Sequence, residues 1–201
     1  MFRVFCLLIG YLLGCFQTAF IIGRFKKHID IRQYGSGNSG TTNAIRVLGW
    51  KLGALTFAGD IAKAVIAVLL AKFLFDDPLA GFYAGFGAII GHNWPIFLKF
   101  KGGKGIASTI GVLLAVDPLI GLIMIVILAI TILLTKYVSL GSVLMVIAIP
   151  ILMLVLHPGA WEFFLLGLML MISALYRHKD NIKRLFTGTE NKLGHKKNLV
   201  A

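Results

Sequence analysis

Apolar and polar positions divide the chain into seven hydrophobic stretches, at about residues 4–23, 54–74, 79–98, 105–116, 119–135, 138–156 and 161–176. Most approach the ~20 apolar residues that a helix needs to cross a hydrocarbon core of about 30 Å. The pattern predicts an all-α integral membrane protein, a bundle of seven transmembrane helices forming one transmembrane domain over residues 1–201. The stretch at 105–116 is short: its length gives only ~18 Å of helix. Short helices are tolerated in a membrane where they line a polar cavity, so this fourth helix is expected to start inside the membrane profile. The first stretch follows Arg3, but it lacks a small-residue cleavage site and a basic segment stops it. It reads as a span rather than a cleaved leader.

Composition sharpens this picture. Hydrophobic residues make up 58% of the chain and the mean hydropathy is +0.89, more apolar surface than one soluble core of this size could bury. In a soluble protein the net charge of +12 would suggest nucleic acid as a partner. Here the placement of the charges says more than their sum. Basic connections (Arg24, Lys26, Lys27, Arg32, Arg46 and Lys51; then Lys99, Lys101 and Lys104; then Lys136; then the segment from Arg177) alternate with connections rich in Asp or free of Lys and Arg. Only Arg3, Lys63 and Lys72 of the 20 Lys and Arg fall outside the basic connections. By the positive-inside rule those connections are cytoplasmic, which puts the N-terminus outside and the C-terminus inside. Segments 24–53, 99–105 and 177–201 are then the cytoplasmic loops. Membrane lipid is an expected partner and nucleic acid is not. Cys6 and Cys15 are nine residues apart on one predicted helix, ~13 Å of rise, too far for a disulfide. They suggest no metal site, and no cofactor is expected.

Three polar stretches interrupt this apolar chain. The first, GSGNSGTTN at 35–43, offers glycine backbone at Gly35, Gly37 and Gly40, hydroxyls at Ser36, Ser39, Thr41 and Thr42, and amides at Asn38 and Asn43. Successive amide N–H groups in such a loop can form an anion-binding nest. Arg46, three residues on, can fork onto a phosphate. A flexible polar loop is the other reading. The second stretch is GHNWPIFLKFKGGKGIAST at 91–109. Gly102, Gly103 and Gly105 surround Lys104 where the short fourth helix opens, and a helix start carries free N–H groups and a positive dipole end. His92 is a candidate base, although Pro95 and the neighbouring aromatics favour a packed turn. In the third stretch, from Arg177 to Glu190, His178 and Asn181 share a face if the last helix continues, and histidine is the usual general base.

Asp60 and Lys63 fall within a span and on one helical face, which suggests an ion pair first and a cavity wall second. Ser142 either lines the same cavity or bonds its own helix. All three motifs lie in cytoplasmic connections. Two anion sites and a His/Asn pair at one membrane face fit group transfer between two phosphorylated ligands. A membrane transporter of phosphate or an organophosphate is the alternative, since transporters also aim helix N-termini at anions. It would need a polar path to both faces, whereas spans one, five and six are almost uniformly apolar.

The chain resembles the bacterial acyl-phosphate:glycerol-3-phosphate acyltransferase family over nearly its whole length. The likeness rests on GSGNSGTTNAIR at 35–46, GHNWPIFLKFKGGKGIAST at 91–109 and HKDNIKRLFTGTENKLG at 178–194. It implies seven spans in a bacterial inner membrane and a cytoplasmic active site. It also implies transfer of an acyl group from acyl phosphate to the 1-hydroxyl of glycerol 3-phosphate, the first step of bacterial phospholipid synthesis. The catalytic residues so implied are Ser36, Arg46, Lys104, His178 and Asn181. The glycine stretches, Ser142 and Glu190 join them in binding substrate and phosphate. No H-x-x-x-x-D motif of other acyltransferases occurs; the nearest spacing, His157 to Glu162, lies on the predicted outer face. Oligomeric state is left open, a monomer being compatible.

Overall fold

The computed structural model describes residues 1–194. Its regular elements there are all helical: α1 (Phe2–Gly14), α2 (Thr18–Lys27), α3 (Thr41–Leu48), α4 (Trp50–Leu74), α5 (Ala80–Asn93), α6 (Ile106–Val116), α7 (Pro118–Thr135), α8 (Val138–Leu156), α9 (Trp161–Arg177) and α10 (Lys179–Phe186). Short 3₁₀ turns occupy Ile31–Gln33 and Ile96–Leu98. Among the described residues four stretches are long and apolar enough to cross a membrane: Phe2–Lys27, α4, α7 and α8. The apolar helices α5, α6 and α9 are shorter, at 14, 11 and 17 residues. Exposed side chains explain why the protein needs lipid. On α7, Leu119, Leu122, Val126, Ile130 and Leu133 are all exposed at the three- and four-residue spacing of one helix face, a stripe that water would penalise.

The chain forms two compact units, Met1–Val116 and the part from Asp117 onward. The first unit is built on the contact of α1 with α5. A Cβ on Gly10 would lie 1.8 Å from the Ala84 carbonyl oxygen, and one on Gly14 2.1 Å from that of Ala88. From the other side, Gly87 and Gly91 press equally close on the Leu7 and Tyr11 carbonyls. Small residues four apart on both helices let the backbones touch, and close packing of this kind is what holds helices together in lipid. The short α6 lies on α4, with Gly111 against the backbone of Ile61. Its C-terminal end is capped by Lys72, whose ammonium donates to the Ala115 carbonyl at 2.7 Å.

In the second unit Asp117 caps α7 by accepting from the Ile120 N–H at 3.1 Å, and it also pairs with His157 at the end of α8. Gly167 of α9 leaves room for the sulfur of Met153 on α8.

Three boundaries differ from the sequence expectation. The first apolar stretch is two helices, because the chain breaks between Gly14 and Thr18. The stretch expected at 79–98 ends its helix at Asn93, before Pro95, where proline cannot continue the hydrogen-bond ladder. The basic segments 24–53 and 177–201 are not plain loops, since they contain α3 and α10. In α3, Ala44 and Leu48 pack with Ala19, Ile22 and Ile31 in one buried cluster. An apolar pair at this spacing is enough to fold a polar segment onto the bundle.

Candidate active site

The first glycine loop is held from within by one side chain. Asn43, buried on α3, accepts the Ser36 N–H through Oδ1 at 2.8 Å. Its Nδ2 lies within hydrogen-bond reach of the carbonyls of Ile31, Tyr34 and Asn38, at 3.2, 3.0 and 3.0 Å. Gly35 takes φ +62° and Gly37 φ +72°, backbone that other residues rarely adopt. Asn38 donates to the Ser36 carbonyl. Ser39, fully buried, donates its hydroxyl to Gln17 Oε1 at 2.7 Å. The side chains of Asn43 and Ser39 are thus engaged with the protein itself. The exposed face of the loop presents Ser36, with Gly40 capping α3. The first-turn N–H groups of a helix have no partner within it, and here they belong to Thr41, Thr42 and Asn43. Thr41 Oγ1 is buried with no hydrogen-bond partner among the described residues. Arg46 is exposed in the last turn of α3.

The second glycine loop rests on the end of α5. The Gly103 N–H donates to the His92 carbonyl at 3.1 Å. A Cβ on Gly102 would lie 2.0 Å from that same oxygen, and one on Gly103 2.1 Å from His92 Nε2. These two glycines are there for close approach, whereas Gly105, at φ +80°, turns the chain into α6. The loop brings the partly exposed Lys104 to the start of α6. Nearby, Arg32 joins two connections. It grips Asp30 through Nε and Nη2 at 3.0 and 2.7 Å and donates through Nη1 to the Leu98 carbonyl at 3.0 Å. The Arg32 bond holds the Asp30 carboxyl below its ordinary range.

Between the loops lies a buried polar cluster at the break between α1 and α2. Lys63 Nζ faces Asp60 Oδ1 at 3.0 Å, His92 Nδ1 at 2.8 Å, and the carbonyls of Phe16 and Gly14 at 2.7 and 3.2 Å. A broken helix inside a membrane exposes carbonyls that must find donors, and the lysine supplies them at the negative end of the α1 dipole. Asp60 also accepts from Thr18 Oγ1 at 3.0 Å, and its backbone carbonyl accepts from Ser108 in the first turn of α6. The expected Asp60–Lys63 pair is therefore present, with His92 as a third member that its sequence context did not suggest. Gln17 was also missed. It is 2% exposed, and a lone glutamine in an apolar run carries no motif.

In the second unit, α9 ends at Arg177 and α10 begins at Lys179, with His178 at the junction. The helical bond from the Ile182 N–H to the His178 carbonyl, 2.8 Å, survives, and both His178 and Asn181 are buried. His178 Nδ1 lies 2.8 Å from the Ala174 carbonyl. Because a carbonyl only accepts, Nδ1 carries a proton. Asn181 Nδ2 and Arg184 Nε both donate to Glu190, at 2.9 and 2.7 Å. Burial pushes the Glu190 carboxyl up, but the Asn181 and Arg184 bonds outweigh it and hold the group below its ordinary range. Ser142 donates to the Val138 carbonyl of its own helix at 2.8 Å, the second of the two readings open for it.

Together these features define a multi-pass helical membrane protein in which two glycine loops each lead into a helix. The comparisons name the family. Residues 4–188 match the family described as glycerol-3-phosphate acyltransferase. The chain is 47% identical over 196 residues to the glycerol-3-phosphate acyltransferase of Thermoanaerobacter sp. (strain X514), covering 98% of each. It is also similar to the crystal structure of PlsY (YgiH), an integral membrane glycerol 3-phosphate acyltransferase, in its glycerol 3-phosphate form. There the TM-score is 0.87 and the identity 35%, over 96% of each chain. The lysophosphatidic acid form of the same protein gives 0.85 and 34%, over 96% of this chain and 95% of that one. The chain belongs to the glycerol-3-phosphate acyltransferase family and is an acyltransferase of the membrane.

Proposed function

We propose that this enzyme transfers an acyl group from acyl phosphate to the 1-hydroxyl of glycerol 3-phosphate, giving 1-acyl-glycerol 3-phosphate and inorganic phosphate. The observation that carries this is the pairing, in one unit, of two glycine loops that each open a helix and bear a cation, Arg46 beyond the first and Lys104 in the second. A mixed anhydride is already activated, so the protein needs mainly to hold two phosphates and neutralise their charge. The hydroxyl oxygen attacks the acyl carbon, the carbon–oxygen bond to phosphate breaks, and phosphate leaves with the electron pair. We assign the hydroxyl proton to that phosphate, which sits beside the reacting carbonyl. His178 is the other acceptor. On this assignment His178→Gln keeps measurable turnover; a loss as deep as removal of the whole site would overturn it.

Ser36, Arg46, Lys104, His178 and Asn181 are the catalytic set of this proposal. The amides of both glycine loops act as phosphate ligands, and Glu190 orients Asn181. The charge pattern supports seven spans with the N-terminus outside and both glycine loops on the cytoplasmic face, and family membership supports a bacterial inner membrane. Family membership favours acyl transfer over transport. The test is release of phosphate from palmitoyl phosphate by detergent-purified protein. Release that requires glycerol 3-phosphate and is lost in Lys104→Ala and Ser36→Ala is the expected result. No release from monodisperse protein would overturn the proposal.

A further inference from the structure

We propose that Gln17 is a positioning residue that sets the two glycine loops against each other. The argument rests on the reading of both loops as phosphate sites. Gln17 sits at the break in the first span, where it opens α2. Its Nε2 donates to two carbonyls, Gly14 at 3.3 Å and His92 at 3.1 Å. Two carbonyls on that side fix the amide's orientation, because only the NH₂ can serve both. Oε1 must then face Ser39, and Ser39 donates to it at 2.7 Å. One buried amide is therefore bonded at once to the end of α1, to the end of α5 and to the first glycine loop.

The second loop is reached through His92. That carbonyl also accepts from the Gly103 N–H, next to Lys104. The path Ser39–Gln17–His92–Gly103 thus runs from the first motif to the second. Ser39 is 0% exposed, Gln17 2% and His92 2%. These bonds are shielded from bulk solvent, and a lost partner leaves a buried polar group unsatisfied. Gln17 does not face the glycine loops' exposed surface. Its role is the separation and register of two anion sites, on which the placement of two reactants depends.

The test uses detergent-purified full-length protein with palmitoyl phosphate and glycerol 3-phosphate. Gln17→Met keeps the volume and removes all three bonds. Gln17→Glu keeps the shape and the Ser39 bond and removes the donor half, and it serves if the Met variant does not fold. Both are expected to lower kcat/KM by about 10²-fold, as a misplacement of about 1 Å can do, while thermal unfolding stays cooperative. In the Gln17→Met background, Ser39→Ala is expected to add less than about twofold, because the bond it breaks is already gone. Unchanged kcat/KM in a folded Gln17 variant overturns the proposal, as does a full additive loss from Ser39→Ala, which would make Ser39 a direct ligand. Wild-type enzyme and Lys104→Ala run alongside. If wild type is inactive, or Lys104→Ala is fully active, it is the reading of the loops as phosphate sites that fails.

Discussion

Lys63→Met is the sharpest test of how the first unit holds together. The lysine is 6% exposed and its partner Asp60 1%. Methionine keeps most of the stem and removes the ammonium, so Asp60 Oδ1 retains only the Thr18 hydroxyl at 3.0 Å and His92 Nδ1 at 3.6 Å. The Phe16 carbonyl loses its donor at a point where α1 has ended. The Gly14 carbonyl keeps Gln17. Removing one member of a buried ion pair costs about 3–5 kcal/mol, because the other charge stays behind in low dielectric. For a chain of this length each kcal/mol lowers the midpoint by about 2–4 °C, so a fall of about 6–20 °C is expected. Asp60→Asn combined with Lys63→Met removes the stranded charge and should recover more than half of the loss. The assay is thermal unfolding of the detergent-purified protein. A single variant within about 3 °C of wild type, or a double variant no better than the single, would refute the idea that the pair closes the helix break.

Gly14→Ala places a methyl 2.1 Å from the Ala88 carbonyl oxygen, and as backbone cannot yield, α1 must part from α5 at a cost of about 1–3 kcal/mol, read as a lower midpoint. Gly103→Ala drives a methyl into the His92 ring, so the loop bearing Lys104 moves; kcat/KM should fall by about 10²-fold, measured by phosphate release. Glu190 gives a pH signature with a definite sign. Its carboxyl titrates below its ordinary range in the folded protein, so its contribution is full above the unfolded value of about 4.3 and is lost as pH falls through the folded one. The midpoint difference between wild type and Glu190→Gln should therefore be constant near neutrality and shrink in acid; a difference that grows in acid would contradict the Asn181 and Arg184 bonds.

Helical membrane character was legible because it depends on composition and on a period that needs no knowledge of neighbours. Which face of α7 is exposed was not legible, because that helix is almost uniformly apolar. The motif loops were legible for a related reason. Clustered glycines, hydroxyls and cations are out of place in an apolar chain, so GSGNSGTTN and KGGKG stand out wherever the fold puts them. The Asp60–Lys63 pair could be named because one helical turn joins the two residues.

The sequence by itself thus determined the solvent, the helices and the polar stretches that carry the chemistry. What only the tertiary structure decided is which residues of those stretches face outward and which hold them in place. Asn43 and Ser39 look like ligands in the sequence, yet fold inward as props. Gln17 and His92 look like filler and a packed turn, yet they join the two loops. Ser39 meets Gln17 across 22 positions of chain, and Gln17 meets His92 across 75. Contacts at such separations are set by how closely α1 and α5 can approach, and that depends on glycines opposing backbone carbonyls. A periodic pattern encodes which face of a helix is buried, but not which partner's carbonyl ends there.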